Sequence, residues 1–178
     1  MAGDTPDTAL SPAQISVIAA YARGLHTAQV CTTLGMSQRA VRGHIARAAR
    51  RAHITGRPLG GLVHHCYQQR LFDTSAYPDL AVRTTAPPPA LRLQHRPRIV
   101  LGCMAEGLSL NATANELGIS KASVMTYRKR IFAQFGTREL PRVIAMGWQW
   151  GHLPLRPPAG APLPARRATP TRRAVVTP

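Results

Sequence analysis

The sequence predicts an all-α chain of two tandem four-helix units, joined by a Pro-rich linker and followed by a disordered basic C-terminal tail. Three observations predict it. "TLGMSQRAVRGHIARAA" (33–49) and "ELGISKASVMTYRKRIF" (116–132) share a skeleton, since Leu34, Gly35, Ser37, Val41 and Arg47 recur 83 residues later as Leu117, Gly118, Ser120, Val124 and Arg130. A constant offset of this kind marks an internal duplication. Each copy sets apolar residues at helical spacing between caps and glycines. The stretches between and after the copies are Pro-rich and keep no period.

Residues 1–9 are small and polar and read as a disordered terminus. In "LSPAQISVIAAYARGL", Ser11 is the expected N-cap, and Pro12 takes the first helical position, where a missing N–H costs nothing. Ile15, Ile18, Ala22 and Leu25 recur at helical spacing, and Gly24 ends this first helix. His26 or Thr27 opens a short second helix through Leu34, and Gly35 breaks it. Ser37 caps a third that runs to about Arg51. A fourth helix is expected from Pro58 to Leu71, weakened by Gly60 and Gly61 at about 1 kcal/mol each.

The pattern stops in "FDTSAYPDLAVRTTAPPPA", which reads as a flexible linker. It then restarts: Leu93, Val100, Gly107 and Leu108 answer Leu10, Val17, Gly24 and Leu25, and the last helix begins near Pro141. The expected boundaries are 10–72 and 91–153 for the two units, 73–90 for the linker and 154–178 for the tail. That tail has prolines and arginines, no acid, and too little apolar content for a core.

Lys and Arg number 23 against 7 Asp and Glu, a formal net charge of +16. Such a balance points to a polyanionic partner, nucleic acid first. No apolar run approaches the ~20 residues of a membrane span, and no signal peptide opens the chain, so the expected setting is cytoplasmic, on the nucleoid, with no membrane partner. Cys31, Cys66 and Cys103 lie far apart in apolar helical patterns and read as small buried hydrophobes. His64, His65 and Cys66 are adjacent on a helix and point different ways, so no metal site is expected. The carboxylates are scattered, no nucleophile has a matched base and no phosphate loop appears, so neither catalysis nor a cofactor is expected.

A helix-turn-helix needs a short scaffold helix, a tight turn and a capped second helix whose exposed face enters the major groove. Both copies have these parts. At 100° per residue, Val41, Ile45 and Ala48 face inward and Arg39, Gly43, Ala46 and Arg50 outward. In the second copy Val124, Ile131 and Phe135 face inward and Ala122, Thr126, Lys129 and Ala133 outward. Arg128 stands in the inward-edge place of Ile45, where it needs to snorkel or to find Glu106 or Glu116.

"LSPAQISVIAAYARGL" with "VCTTLGMSQRAVRGHIARAARRA", and "LQHRPRIVLGCMAEGLSLNATANELGISKASVMTYRKRIFAQFG", resemble the LuxR/GerE-type helix-turn-helix domain of bacterial transcription regulators. The marks are L-[ST]-P opening the first helix, A-x-G-L closing it, and L-G-[IM]-S-x-x-x-V-x-x-[HY]-x-x-R across the turn and recognition helix. The resemblance implies double-stranded DNA as partner, with bases read by Arg39, Arg42 and Gly43, and by Ala122, Met125 and Thr126. It places His44, Tyr127, Arg47 and Arg130 on phosphates. Thr27, Ser37, Gln38 and Arg50 complete the implied contact set of the first copy, and Ser120, Lys121 and Lys129 that of the second. In many members the fourth helix makes a dimer contact, so a homodimer and an intramolecular pseudo-dimer are both open. The second copy departs from the pattern where Gln94, His95, Arg96 and Pro97 replace the capped opening.

The first reading is therefore a transcriptional regulator with two recognition helices. A flexible linker reaching ~60 Å extended, or about 25 Å on average, spans the ~34 Å between successive major grooves. The alternative is an interaction module that docks on RNA polymerase or another regulator through one copy, and Trp148, off the core stripe of Val143, Met146, Gly147 and Trp150, is its expected contact. Arg47 and Arg51 are expected as phosphate clamps.

Overall fold

The computed structural model describes residues 9–56 and 58–154, and among these the chain is all-helical, without strands. The expected terminal segments, 1–8 and from 155 onward, lie outside the described residues. The first set of helices is α1 (Pro12–Ala22), α2 (Thr27–Leu34), α3 (Gln38–Arg51) and α4 (Pro58–Gln68). The second is α5 (His95–Ala105), α6 (Leu110–Leu117), α7 (Lys121–Gln134) and α8 (Leu140–Gln149). The first three helices of the second set begin and end 83 residues after their counterparts, so the offset in sequence is an offset in structure.

Local chemistry accounts for the boundaries. Ser11 accepts from Gln14 N while Gln14 Oε1 accepts from Ser11 N, a reciprocal cap with Pro12 behind it. Ser37, Ser109 and Ser120 each accept from the backbone N–H three residues on. Gly35 and Gly118 end α2 and α6 at φ 61° and 59°, the left-handed region where a Cβ is costly. The N-cap residue of α5, Gln94, makes no side-chain cap bond, as the departure in sequence implies. There Gln134 Nε2, from the end of α7, donates to the Arg92 carbonyl at 2.8 Å and holds the incoming chain. The helix α4 stops at Gln68, short of the expected Leu71.

The two sets are not beads on a string. One apolar core runs through both, joining Ile18, Leu62 and Val63 of the first to Leu101, Val143 and Ile144 of the second. A smaller cluster of Val17, Ala20, Tyr21, Val30 and Val41 holds α1, α2 and α3 together. The two sets meet chiefly where α4 lies on α8, with α1 against α8 and α5 against α4 on either side. Exchanging the sets maps α1–α8 onto α5–α4, which is the form of an isologous contact about a pseudo-two-fold.

The seam is close. A Cβ at Gly60 would stand 3.1 Å from Leu140 Cδ2, so the first of the two glycines expected to weaken α4 marks the approach of α8, while a Cβ at Gly61 would stand 3.1 Å from Ile54 Cγ2 of its own set. Trp148 is half-buried in the seam, stacked on Tyr67 at 5.5 Å between ring centroids, with Nε1 donating to His64 Nδ1 at 3.0 Å. This corrects its reading as an outward partner contact. The side of α8 that is off the core stripe of its own set is the side that meets the other set.

The segment 73–90 is likewise not a free coil. It carries a 3-10 turn at Pro78–Leu80 and leads into another at Pro89–Leu91, with Leu80 fully buried. Tyr67 Oη donates to the Leu80 carbonyl at 2.8 Å, and Arg23 pairs with Asp79 through two hydrogen bonds of 2.7 and 2.8 Å. On the other side Gln149 Nε2 donates to the Asp79 carbonyl at 2.6 Å, Arg83 N to the Gln149 carbonyl at 2.9 Å, and the Arg83 guanidinium lies over the Trp150 ring. The segment is a strap tied to both sets, so coil statistics do not set the distance between them.

Candidate nucleic-acid interface

The helices α3 and α7 have the same construction. Each begins one residue after a serine cap, follows a left-handed glycine by three positions, and carries no acidic residue. In α3, Val41 and Ala48 are buried and Ile45 half-buried, while Gln38, Arg39, Arg42, Ala46, Arg47 and Arg50 are exposed. Arg47 folds back across Gly43: a Cβ there would stand 3.2 Å from its Nη1, and its Nη2 lies 3.4 Å from His44 Nδ1. Gly43 thus makes room for a guanidinium to lie along the helix beside the half-buried His44. Thr27, at the start of α2, is half-buried and shares a hydrogen bond of 2.9 Å with Tyr21 Oη.

Arg51 is placed differently from its expected role as a phosphate clamp. Its Nη1 donates to Gln14 Oε1 at 3.0 Å and to the Ala9 carbonyl at 3.3 Å, so it braces the end of α3 against the start of α1.

In α7, Val124 and Ile131 are buried, with Phe135 just beyond the helix, while Lys121, Ala122, Met125, Thr126, Lys129 and Arg130 are exposed. Met125 is 42 % exposed. Thr126 Oγ1 donates to the Ala122 carbonyl at 3.0 Å, which spends its proton inside the helix and leaves its methyl and lone pairs outward. Ser120 Oγ caps Ser123 N at 3.1 Å and also bonds its hydroxyl at 2.9 Å. Tyr127 packs half-buried against the core.

Arg128 is half-buried, as its inward-edge position implies, and lines a cavity of about 510 Å³ with Met104, Leu108, Leu110, Asn111 and Lys121. Arg128, Glu106 and Glu116 each take part in a polar or electrostatic interaction.

The second set is a known type of domain. Residues 92–147 match the GerE family, described as bacterial regulatory proteins of the luxR family. A GerE/LuxR-family domain is present there. The match covers α5, α6 and α7 and most of α8, and so takes in the cap, glycine and exposed face of α7. Such a domain is a DNA-binding regulator of transcription, and its chemistry is recognition. No curated protein and no solved structure matches the chain.

Among the described residues no three His, Cys, Asp or Glu side chains come together as metal ligands, and no helix is long and apolar enough to cross a membrane. His64 belongs to the seam and Cys66 to the apolar core. Burial, with the neighbouring His65, pushes the His64 imidazole down to about 4, and burial pushes the Cys66 thiol up to about 12. The residues that join the sets, His64, Tyr67, Leu80, Asp79 and Trp148, are what sequence reasoning missed. The signal available was a second apolar stripe on α8, Ile144 with Trp148, beside the stripe that serves its own set.

Proposed function

We propose that the chain is a sequence-specific double-stranded DNA-binding transcriptional regulator, acting on the nucleoid in the cytoplasm, in which residues 10–72 are a second LuxR/GerE-like domain beside the one at 92–147. Both α3 and α7 enter major grooves. The observation that carries this is the register: three helices, the serine cap of the recognition helix and the turn glycines recur at a constant 83 residues, and both recognition helices are acid-free with small residues among exposed cations. Base edges are met by Arg39, Arg42 and Gly43 on one side and Ala122, Met125 and Thr126 on the other. The backbone is met by Ser37, Gln38, His44, Arg47 and Arg50, with Thr27 at the start of the scaffold helix. In the second domain Ser120, Lys121, Tyr127, Lys129 and Arg130 do the same work.

The two domains read unlike half-sites. An arginine fork bonds O6 and N7 of guanine, whereas the Met125 thioether and the Thr126 methyl suit a thymine methyl. Selection of bound duplexes from a random library by the whole chain is expected to enrich two blocks, G-containing for α3 and A/T-leaning for α7. Retention of DNA with no enriched motif would overturn the reading and favour the alternative, docking on RNA polymerase or another regulator. That alternative no longer has Trp148 as an exposed contact.

A further inference from the structure

We propose that one chain is the complete binding unit, and that the α4–α8 seam locks its two recognition helices at a single separation and helical phase, so that only one spacing between unlike half-sites is accepted. This rests on the reading of α3 and α7 as DNA-reading helices. It concerns the operator's geometry, which the residues on those helices leave open.

The seam has the properties of a clamp. Its helices approach within reach of a missing Cβ at Gly60, and its aromatic stack of Trp148 on Tyr67 is pinned by a ring-to-ring hydrogen bond to His64. Arg142 Nη1 reaches the Ala22 carbonyl at the end of α1, and its side chain covers Gly24. Outside the helices, the strap is bonded to α4 through Leu80 and to α8 through Gln149, so both routes by which the sets could part are closed. A tethered pair of free domains samples many separations, with affinity set by effective concentration. A packed pair samples one.

The seam also fixes the stoichiometry. An isologous contact uses the same patch on both partners. Here α4 and α8 face each other within one chain, with Gly60 against Leu140 and Ile144 and Tyr67 against Trp148. A second chain finds neither patch free.

The test uses the full chain and the two-block duplex that it enriches, in a spacing series. Insertion of about 5 bp turns one block to the opposite face, and insertion of about 10 bp restores the face while adding ~34 Å. Each insertion is expected to lower affinity at least tenfold, to the level of a duplex with one block scrambled. Sedimentation of the unaltered complex is expected to give one chain per duplex.

Recovery of affinity at about 10 bp would overturn the clamp, since a loose tether tolerates it. Two chains per duplex would overturn the single-chain unit. If scrambling either block left affinity unchanged, the reading of two DNA-reading helices would fail, and this inference with it. The variants Trp148→Ala and Gly60→Leu attack the seam from opposite directions, by deletion and by wedging. Whichever of them remains folded is expected to bind single-block duplexes like the parent yet lose most of the spacing penalty. An unchanged penalty in a folded variant would place the clamp elsewhere.

Discussion

The two arginines that the α3 surface presents first, Arg39 and Arg42, are exposed, whereas Arg51 twelve residues on from Arg39 is spent on bracing the fold. Residue type alone does not separate these roles; the partner within reach does. Arg39→Ala is expected to relax preference at one guanine, worth ~1–3 kcal/mol, in binding measured over single-base variants of the site. Lys129→Ala is expected to weaken all duplexes alike and to lower the salt slope by about 0.9, the signature of one lost phosphate contact. At the seam, Trp148 Nε1 donating to His64 Nδ1 requires a neutral imidazole. Burial first, then the charge of His65, lowers the His64 pKa from 6.5 to about 4. Between those values the unfolded chain binds a proton that the folded chain excludes, so stability is full above 6.5 and is lost as pH falls toward 4. The loss is on the order of 2–3 kcal/mol. His65 and His152 are lowered by burial too, so the slope is shared. Urea unfolding between these pH values should show a shallower pH dependence for His64→Gln than for the parent. Equal slopes would mean that His64 is not held neutral in the seam.

At the scale of the element, the caps have two duties. Ser37 and Ser120 satisfy a backbone N–H at the start of α3 and α7, and in the proposed reading they stand where phosphates approach. Ser→Ala at either position is expected to cost about 1 kcal/mol in thermal unfolding. Ser→Asp is expected to keep that stability, since Asp caps as well as Ser, while weakening DNA binding through repulsion of phosphate. If Ser37→Asp and Ser120→Asp both left binding unchanged, the N-termini of α3 and α7 would not face DNA. These elements were legible in sequence because caps, turn glycines and a 3.6-residue period act over a few residues, and Ser11, Gly35, Ser37, Gly118 and Ser120 each sit where local chemistry places them. The exposed faces of α3 and α7 were legible for the same reason. The seam was not, because Gly60, Tyr67, Leu80 and Trp148 are explained only by one another across large separations in the chain. Leu80 lies in a stretch with no sustained period to announce that it, and not the exposed Val82 beside it, is buried.

For the whole molecule, the consequence of a shared core is cooperativity. Two independent domains on a coil unfold separately, each with its own midpoint, but here the buried residues of α1, α4, α5 and α8 form one cluster. Strap residues tie it further, with Leu80 wholly buried and bonded through its carbonyl to Tyr67 of the first set, and the Asp79 carbonyl accepting from Gln149 of the second at 2.6 Å. Separating the sets would expose the faces that meet at Gly60, Ile144, Tyr67 and Trp148 to water, at roughly 25 cal/mol for each Å² of apolar surface. That cost falls on whichever set unfolds second, so neither gains by outlasting the other. Calorimetry is therefore expected to give one transition whose calorimetric and van't Hoff enthalpies agree. Trp148→Ala is expected to lower that single midpoint, at a cost of about 2–3 kcal/mol because the ring is only half-buried, less than the usual toll of deleting a core tryptophan. A chain cut to residues 91–154 keeps every residue of the GerE match yet bares the α8 face that Tyr67 and Gly60 covered. It is expected to associate through that face or to melt well below the parent. Unfolding of the piece as a monomer at the parent's midpoint would show that the two sets touch without depending on each other.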